Sequence, residues 1–251
     1  GYTTPSGGSV EVKEFHYSSG GTAGADTSPS VTVKKLDQYN TSQTLSGATF
    51  TLVEGTYADG TFTPTTDGLS LTGTTGEDGT LTFGKTSEQT MSYNTVYCLT
   101  ETVAPEGYVL DAVPHYFAVA KQEDGKCPTF PNGVTVWYQS ADYTYQAYNH
   151  KGEATVAKAF LDAGGNHLAK IDGAYRFGIY AEANPTGNPL QTVTITYANS
   201  TVTPESGTAK FTNLTLGKMY YIYELDDNGV PIRGDNTLAT VNGANFLVTY
   251  S

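Results

Sequence analysis

The 251-residue chain contains no apolar run of membrane-spanning length, and no segment sustains a helical apolar period, so neither a spanning helix nor a helical bundle is expected. Methionine, tryptophan and cysteine are scarce, at 2, 1 and 2 residues. Cys98 and Cys127 are too few for a disulfide-built scaffold and lack the CxxC spacing of a metal or redox centre. Either they pair in one Cys98–Cys127 disulfide, which an extracellular location permits, or they stay inert thiols. Basic side chains are also short: 13 against 25 acidic, a net charge of -12, with no basic cluster. A phosphate backbone or an anionic bilayer would be repelled, which argues against nucleic-acid binding and membrane insertion.

Chemical motifs are equally sparse. His16, His115, His150 and His167 are scattered without HExxH or similar spacing, so no metal is expected, and no cofactor either. Residues 79–86, GTLTFGKT, spell a phosphate-loop pattern, yet TLTF alternates like a strand and no apolar helical face follows. Asp226 and Asp227, in LDDNG, lack calcium-loop spacing and read as a turn. Arg233, Gly234 and Asp235 spell RGD within a Gly- and Asn-rich loop, weak support for adhesion. No GxSxG or paired-carboxylate cleft signature suggests turnover of an external substrate.

What is abundant is glycine (28), tyrosine (19) and threonine, the material of strands and tight turns. Residues 1–30 read as a flexible leader with one edge strand at Val10–Tyr17. The start at Gly1 suggests a mature or excised piece. From Val31, short alternating runs recur between turns: VTVKKLD, ATFTLVE, GTLTF, TVYCLTE, HYFAVAK, VTVWYQ and YTYQAYN. The second half repeats the order. Lys158 follows Val156 as Lys35 follows Val33, GTAKF matches GTLTF, and KMYYIYE matches TVYCLTE. The expectation is an all-β chain of two tandem antiparallel β-sandwich domains, 31–151 and 152–251.

Three polar residues fall on the inward phase of apolar strands: Lys35 after Val31 and Val33, Glu101 after Tyr97 and Leu99, Asn149 after Tyr145 and Ala147. Lys34, next to Lys35, has the opposite phase. A buried amine loses its charge readily and becomes a nucleophile, whereas a buried carboxyl can hold and donate a proton. If the strands of Lys35 and Asn149 are adjacent with Glu101 between them, the amine can attack the carboxamide while Glu101 shuttles protons and ammonia leaves. The bland alternative is a buried salt bridge beside an amide.

VTVKKLD, LSGATFTL and above all ETVAPEGY resemble the Cna-B, or SpaA-type, β-sandwich modules of Gram-positive pilins and surface adhesins. The resemblance covers residues 31–150 and implies immunoglobulin-like sandwiches in which Lys35 and Asn149 form an isopeptide cross-link with Glu101 catalytic. It further implies a stalk or pilin segment, extracellular and attached to the cell wall, that is not an enzyme beyond one self-modification. Its partners would be other pilin or adhesin subunits, or the wall, through regions outside this chain. The alternative is an adhesin module whose loops bind a host matrix protein or glycan. In the second half Lys158 and Glu224 match as nucleophile and catalytic carboxyl, but ELDDNGVP replaces the box. Phe246, Val248 and Tyr250 share a phase whose next member lies past Ser251, while Asn242 and Asn245 sit in a turn or out of phase. No second bond is therefore expected within this chain.

Overall fold

A computed structural model describes residues 28–138, 141–168, 171–200, 207–234 and 237–251, the side chains of 199 and 200 excepted. The expected edge strand at 10–17, His16 and Asp235 lie outside the described residues. The described residues form strands, turns and loops, with no helix. They divide into two compact units, 28–106 with 110–149, and 107–109 with 150–251.

The first unit is a sandwich of two sheets. One has the order β5-β1-β9, from β1 (Ser30–Asp37), β5 (Thr80–Phe83) and β9 (Asp142–Asn149). The other runs β3-β2-β6-β7-β8, from β2 (Thr49–Ala58), β3 (Thr61–Pro64), β6 (Val96–Val103), β7 (His115–Val119) and β8 (Thr135–Trp137), with β4 (Ser70–Thr74) also paired to β2. The two-residue turn Asp59-Gly60, both at positive φ, closes the β2–β3 hairpin with the twist such strands need. Alternation sends Val31 and Val33 from one sheet, and Phe50, Leu52, Tyr97, Leu99 and Phe117 from the other, into a shared core. Burying these side chains contributes roughly 1.5–3 kcal/mol each.

Two pairings depart from the antiparallel expectation: β1 with β9, and β7 with β8, are parallel. Side-chain alternation reports which face a residue occupies but is the same for either strand direction. Parallel neighbours need a long crossover, and β1 and β9 lie at the two ends of the unit. The phosphate-loop pattern at 79–86 begins with β5, a strand, and leads into no helix.

In the second unit β10 (Gly152–Ala157) pairs with β13 (Thr208–Leu214). β11 (Ile171–Tyr180) lies between β12 (Gln191–Ser200) and β14 (Tyr221–Glu224). β15 (Thr237–Val241) and β16 (Ala244–Val248) form a hairpin over Asn242-Gly243, again with two positive φ angles. Its core gathers Phe160, Tyr175, Phe177, Ile179 and Phe211.

Candidate functional site

Lys35 sits near the end of β1, 1% exposed, while Lys34 is only half-buried on the opposite face. Its position is fixed by backbone contacts: its N–H donates to Gly79 O at 2.8 Å, and its carbonyl accepts from Leu45 N–H at 2.9 Å. Gly79 has φ +74°, and a Cβ there would lie 2.9 Å from Leu45 N, so glycine is required for this approach. Asn149, 1% exposed, ends β9, whose parallel register sets Ala147 opposite Lys35 and Asn149 opposite Asp37.

Glu101 comes from the facing sheet, 2% exposed on β6 beside Tyr97 and Leu99. It pairs with Phe50 on β2, and a bulge follows at once, where the register jumps to Thr49 opposite Val103. The carboxylate crosses the interior and meets both partners. Lys35 Nζ lies 3.0 Å from Oε1, and Asn149 Nδ2 donates to Oε2 at 2.8 Å. Asp111 N–H also donates to Oε2, at 2.9 Å. Lys35 Nζ stands 5.5 Å from the Phe50 ring centroid, a cation–π contact.

Burial pushes the Lys35 amine below the ordinary lysine range, against the opposing pull of Glu101. An amine held where its charge is costly, beside a carboxylate that can take its proton and an amide bonded to the same carboxylate, is arranged for acyl transfer. Reversing the amide would turn Oδ1 toward the carboxyl, which would then have to be protonated to donate.

The second unit repeats part of this geometry. Lys158 N–H donates to Gly207 O at 3.1 Å, as Lys35 does to Gly79. Glu224 pairs with Phe177, as Glu101 does with Phe50. Lys158 Nζ donates to Glu224 Oε2 at 2.6 Å, and Nζ lies 4.9 Å from the Phe160 ring centroid. The amide is missing from this arrangement among the described residues. Asn242 Nδ2 donates to Ala174 O, and Asn245 Oδ1 accepts from Thr240. Glu224 Oε1 is buried without a hydrogen-bond partner among the described residues. Nor does any described strand pair with the edge of β10 that corresponds to the β9 side of β1.

Cys98 and Cys127 are both thiols, so the disulfide left open by the sequence is not formed. Cys98 is held in mid-strand on β6 with Sγ 3.5 Å from Thr100 Oγ1, whereas Cys127 is exposed in the loop between β7 and β8 with Sγ 3.8 Å from Gln122 Nε2. No group of three or more His, Cys, Asp or Glu among the described residues is placed to hold a metal.

Two contributors escaped sequence reasoning. Asp111 acts through a backbone N–H from an exposed loop, which no side-chain pattern reveals. Tyr250 puts its hydroxyl on the backbone of Glu224, accepting its N–H at 3.0 Å and donating to Ile232 O at 2.6 Å. Its shared phase with Val248 was the available signal.

Residues 29–129 match the model of the SpaA prealbumin-like fold domain. No curated protein matches the chain. Among solved structures the chain is similar to the Bacillus anthracis TIE protein at 20% identity, covering 80% of this chain and 29% of that one, with a TM-score of 0.32. It is similar to the full-length major pilin SpaD of Corynebacterium diphtheriae at 16% identity, covering 81% and 58%, TM-score 0.35. The shaft pilin SpaA of Lactobacillus rhamnosus GG, in a D295N mutant, gives 17% identity, 90% and 96% coverage, and TM-score 0.32. The chain thus spans only part of the first two of these proteins. The likeness in sequence rests on the matched residues: 29–129 are similar to the SpaA prealbumin-like fold domain.

Proposed function

We propose that this chain is a stalk or pilin segment of a Gram-positive surface fibre, and that its first unit cross-links itself between Lys35 and Asn149. The observation that carries the reading is one buried carboxylate, Glu101, touching the amine at 3.0 Å and the amide at 2.8 Å. Glu101 takes a proton from the Lys35 ammonium, and the neutral Nζ attacks Asn149 Cγ. The carboxyl then protonates Nδ2 and accepts the second proton leaving Nζ. The Cγ–Nδ2 bond breaks, ammonia departs, and an amide joins the two strands while Glu101 keeps one proton. Atoms and charge balance without an added reagent, and the reaction occurs once per chain.

The second unit is a related module, supported by the repeated Lys158–Glu224 pair and by the shared backbone bond of each lysine to the glycine of its GT turn. The product is mechanical: tandem units on the cell wall, partnered with other subunits of the same fibre. Intact mass under denaturing, reducing conditions tests the cross-link. The wild-type chain should be lighter than its sequence by one ammonia, and Lys35→Ala, Glu101→Ala or Asn149→Ala should restore the full mass. A wild-type chain at full mass would sink the proposal.

A further inference from the structure

Ammonia must leave a site whose residues are buried, and a small cavity adjoins that site. Against Lys35 and Glu101 lies a cavity of about 20 Å³, bounded further by Asp111, Val113, Tyr145 and Tyr148. That is room for about one water-sized molecule, and ammonia is of that size. The inner end touches Lys35 and the Glu101 carboxylate that holds Asn149 Nδ2, while at the outer end Val113 is 76% exposed and Tyr148 37% exposed. Phe50, Leu99 and Ala147, all apolar and buried, and the His115 ring complete its lining.

The hydrogen bonds fix which side the leaving nitrogen faces. Asn149 Nδ2 is held on Glu101 Oε2, the same oxygen that accepts the Asp111 N–H. The nitrogen is therefore freed beside the 111–113 segment rather than beneath the core. That segment is held in shape by an Asx turn, Val113 N–H donating to Asp111 Oδ1 at 3.1 Å.

We infer that the cavity between Glu101 and the 111–113 turn is the exit through which ammonia leaves, with Asp111 N–H a positioning group that holds Glu101 Oε2 at its inner end. The inference rests on the cross-linking reading above. It assigns to an exposed loop a part in a buried reaction.

The test follows the full chain made by cell-free synthesis, sampled over time into denaturant and weighed intact. Val113→Trp covers the mouth without touching the core and should slow ammonia loss roughly tenfold relative to wild type. Thr63→Trp, on exposed β3 and away from the cavity, should keep the wild-type pace. Asp111→Ala, which retains the N–H, should link roughly tenfold faster than Asp111→Pro, which lacks it. The folding rate of Val113→Trp is measured in a Lys35→Ala background. Linking of Val113→Trp at the wild-type pace, or slowing matched by equally slow folding, overturns the exit. Equal rates for the Ala and Pro variants overturn the positioning role. A wild-type chain that never loses ammonia instead removes the reading beneath both.

Discussion

Lys35 stands two register positions behind Asn149 on the neighbouring parallel strand, because Ala147 faces Lys35 and Asn149 faces Asp37. Two residues of strand span about 6–7 Å, a gap that a long side chain bridges along the strand direction. Antiparallel neighbours running in opposite directions would not place the first and last strands of the unit in this end-to-end alignment.

Mechanical extension reads that alignment directly. Handles at residues 31 and 150 should register no release of the intervening chain in the wild type, because the cross-link shunts the load. In Lys35→Ala the same pull should also free the 114 positions from 35 to 149 that the cross-link otherwise shields, roughly 400 Å of contour. A 400 Å event in the wild type would contradict the cross-link. In chain-entropy terms, closing such a loop is worth on the order of 4–5 kcal/mol.

Unlinked variants separate the cost of the ion pair from its use. Lys35→Met leaves Glu101 buried without its cation, and Glu101→Leu leaves Lys35 buried without its anion, each costing about 3–5 kcal/mol. The double variant Lys35→Met/Glu101→Leu removes both charges and should be more stable than either single one by a few kcal/mol in urea unfolding. Measured in an Asn149→Ala background, which keeps the ion pair but cannot link, additive losses would show instead that the two side chains are not coupled.

His115 sets a pH dependence of a definite sign. Its Nε2 lies 2.8 Å from the Tyr143 hydroxyl and its ring stacks on Tyr145 at 3.8 Å, and burial lowers its pKa from 6.5 to about 4. Between those values the unfolded chain binds the proton and the folded chain does not, so stability falls as pH drops from 6.5 toward 4. Allowing for partial exposure, the loss is about 2 kcal/mol. His115→Gln should flatten the urea midpoint over that window, and an unchanged slope would assign the loss to other groups.

Much of the first site was legible because a two-residue period is a strong signal where one face is apolar. Tyr97, Leu99 and Glu101 are all buried while Cys98 and Thr100 between them are half-buried, and the same rule separates Lys35 from Lys34. Strand direction was not legible, since alternation is identical for both. Backbone donors were invisible for a different reason: the Asp111 N–H depends on where a loop passes, not on what its side chains are.

The second unit repeats the lysine–carboxylate pair of the first, Lys158 with Glu224, but among the described residues no amide is brought to it. Lys158 Nζ is committed to Glu224 Oε2 at 2.6 Å, and Asn242 and Asn245 make their hydrogen bonds elsewhere. The in-phase residue that does reach Glu224 is Tyr250, whose hydroxyl takes its backbone N–H and is pushed by burial up to about 12, so it stays neutral and offers no acyl carbon. The mass deficit of the chain should accordingly be one ammonia, and Lys158→Ala should leave that deficit unchanged while Asn149→Ala removes it entirely. Loss of a second ammonia, abolished by Lys158→Ala, would show that an amide reaches this pair after all.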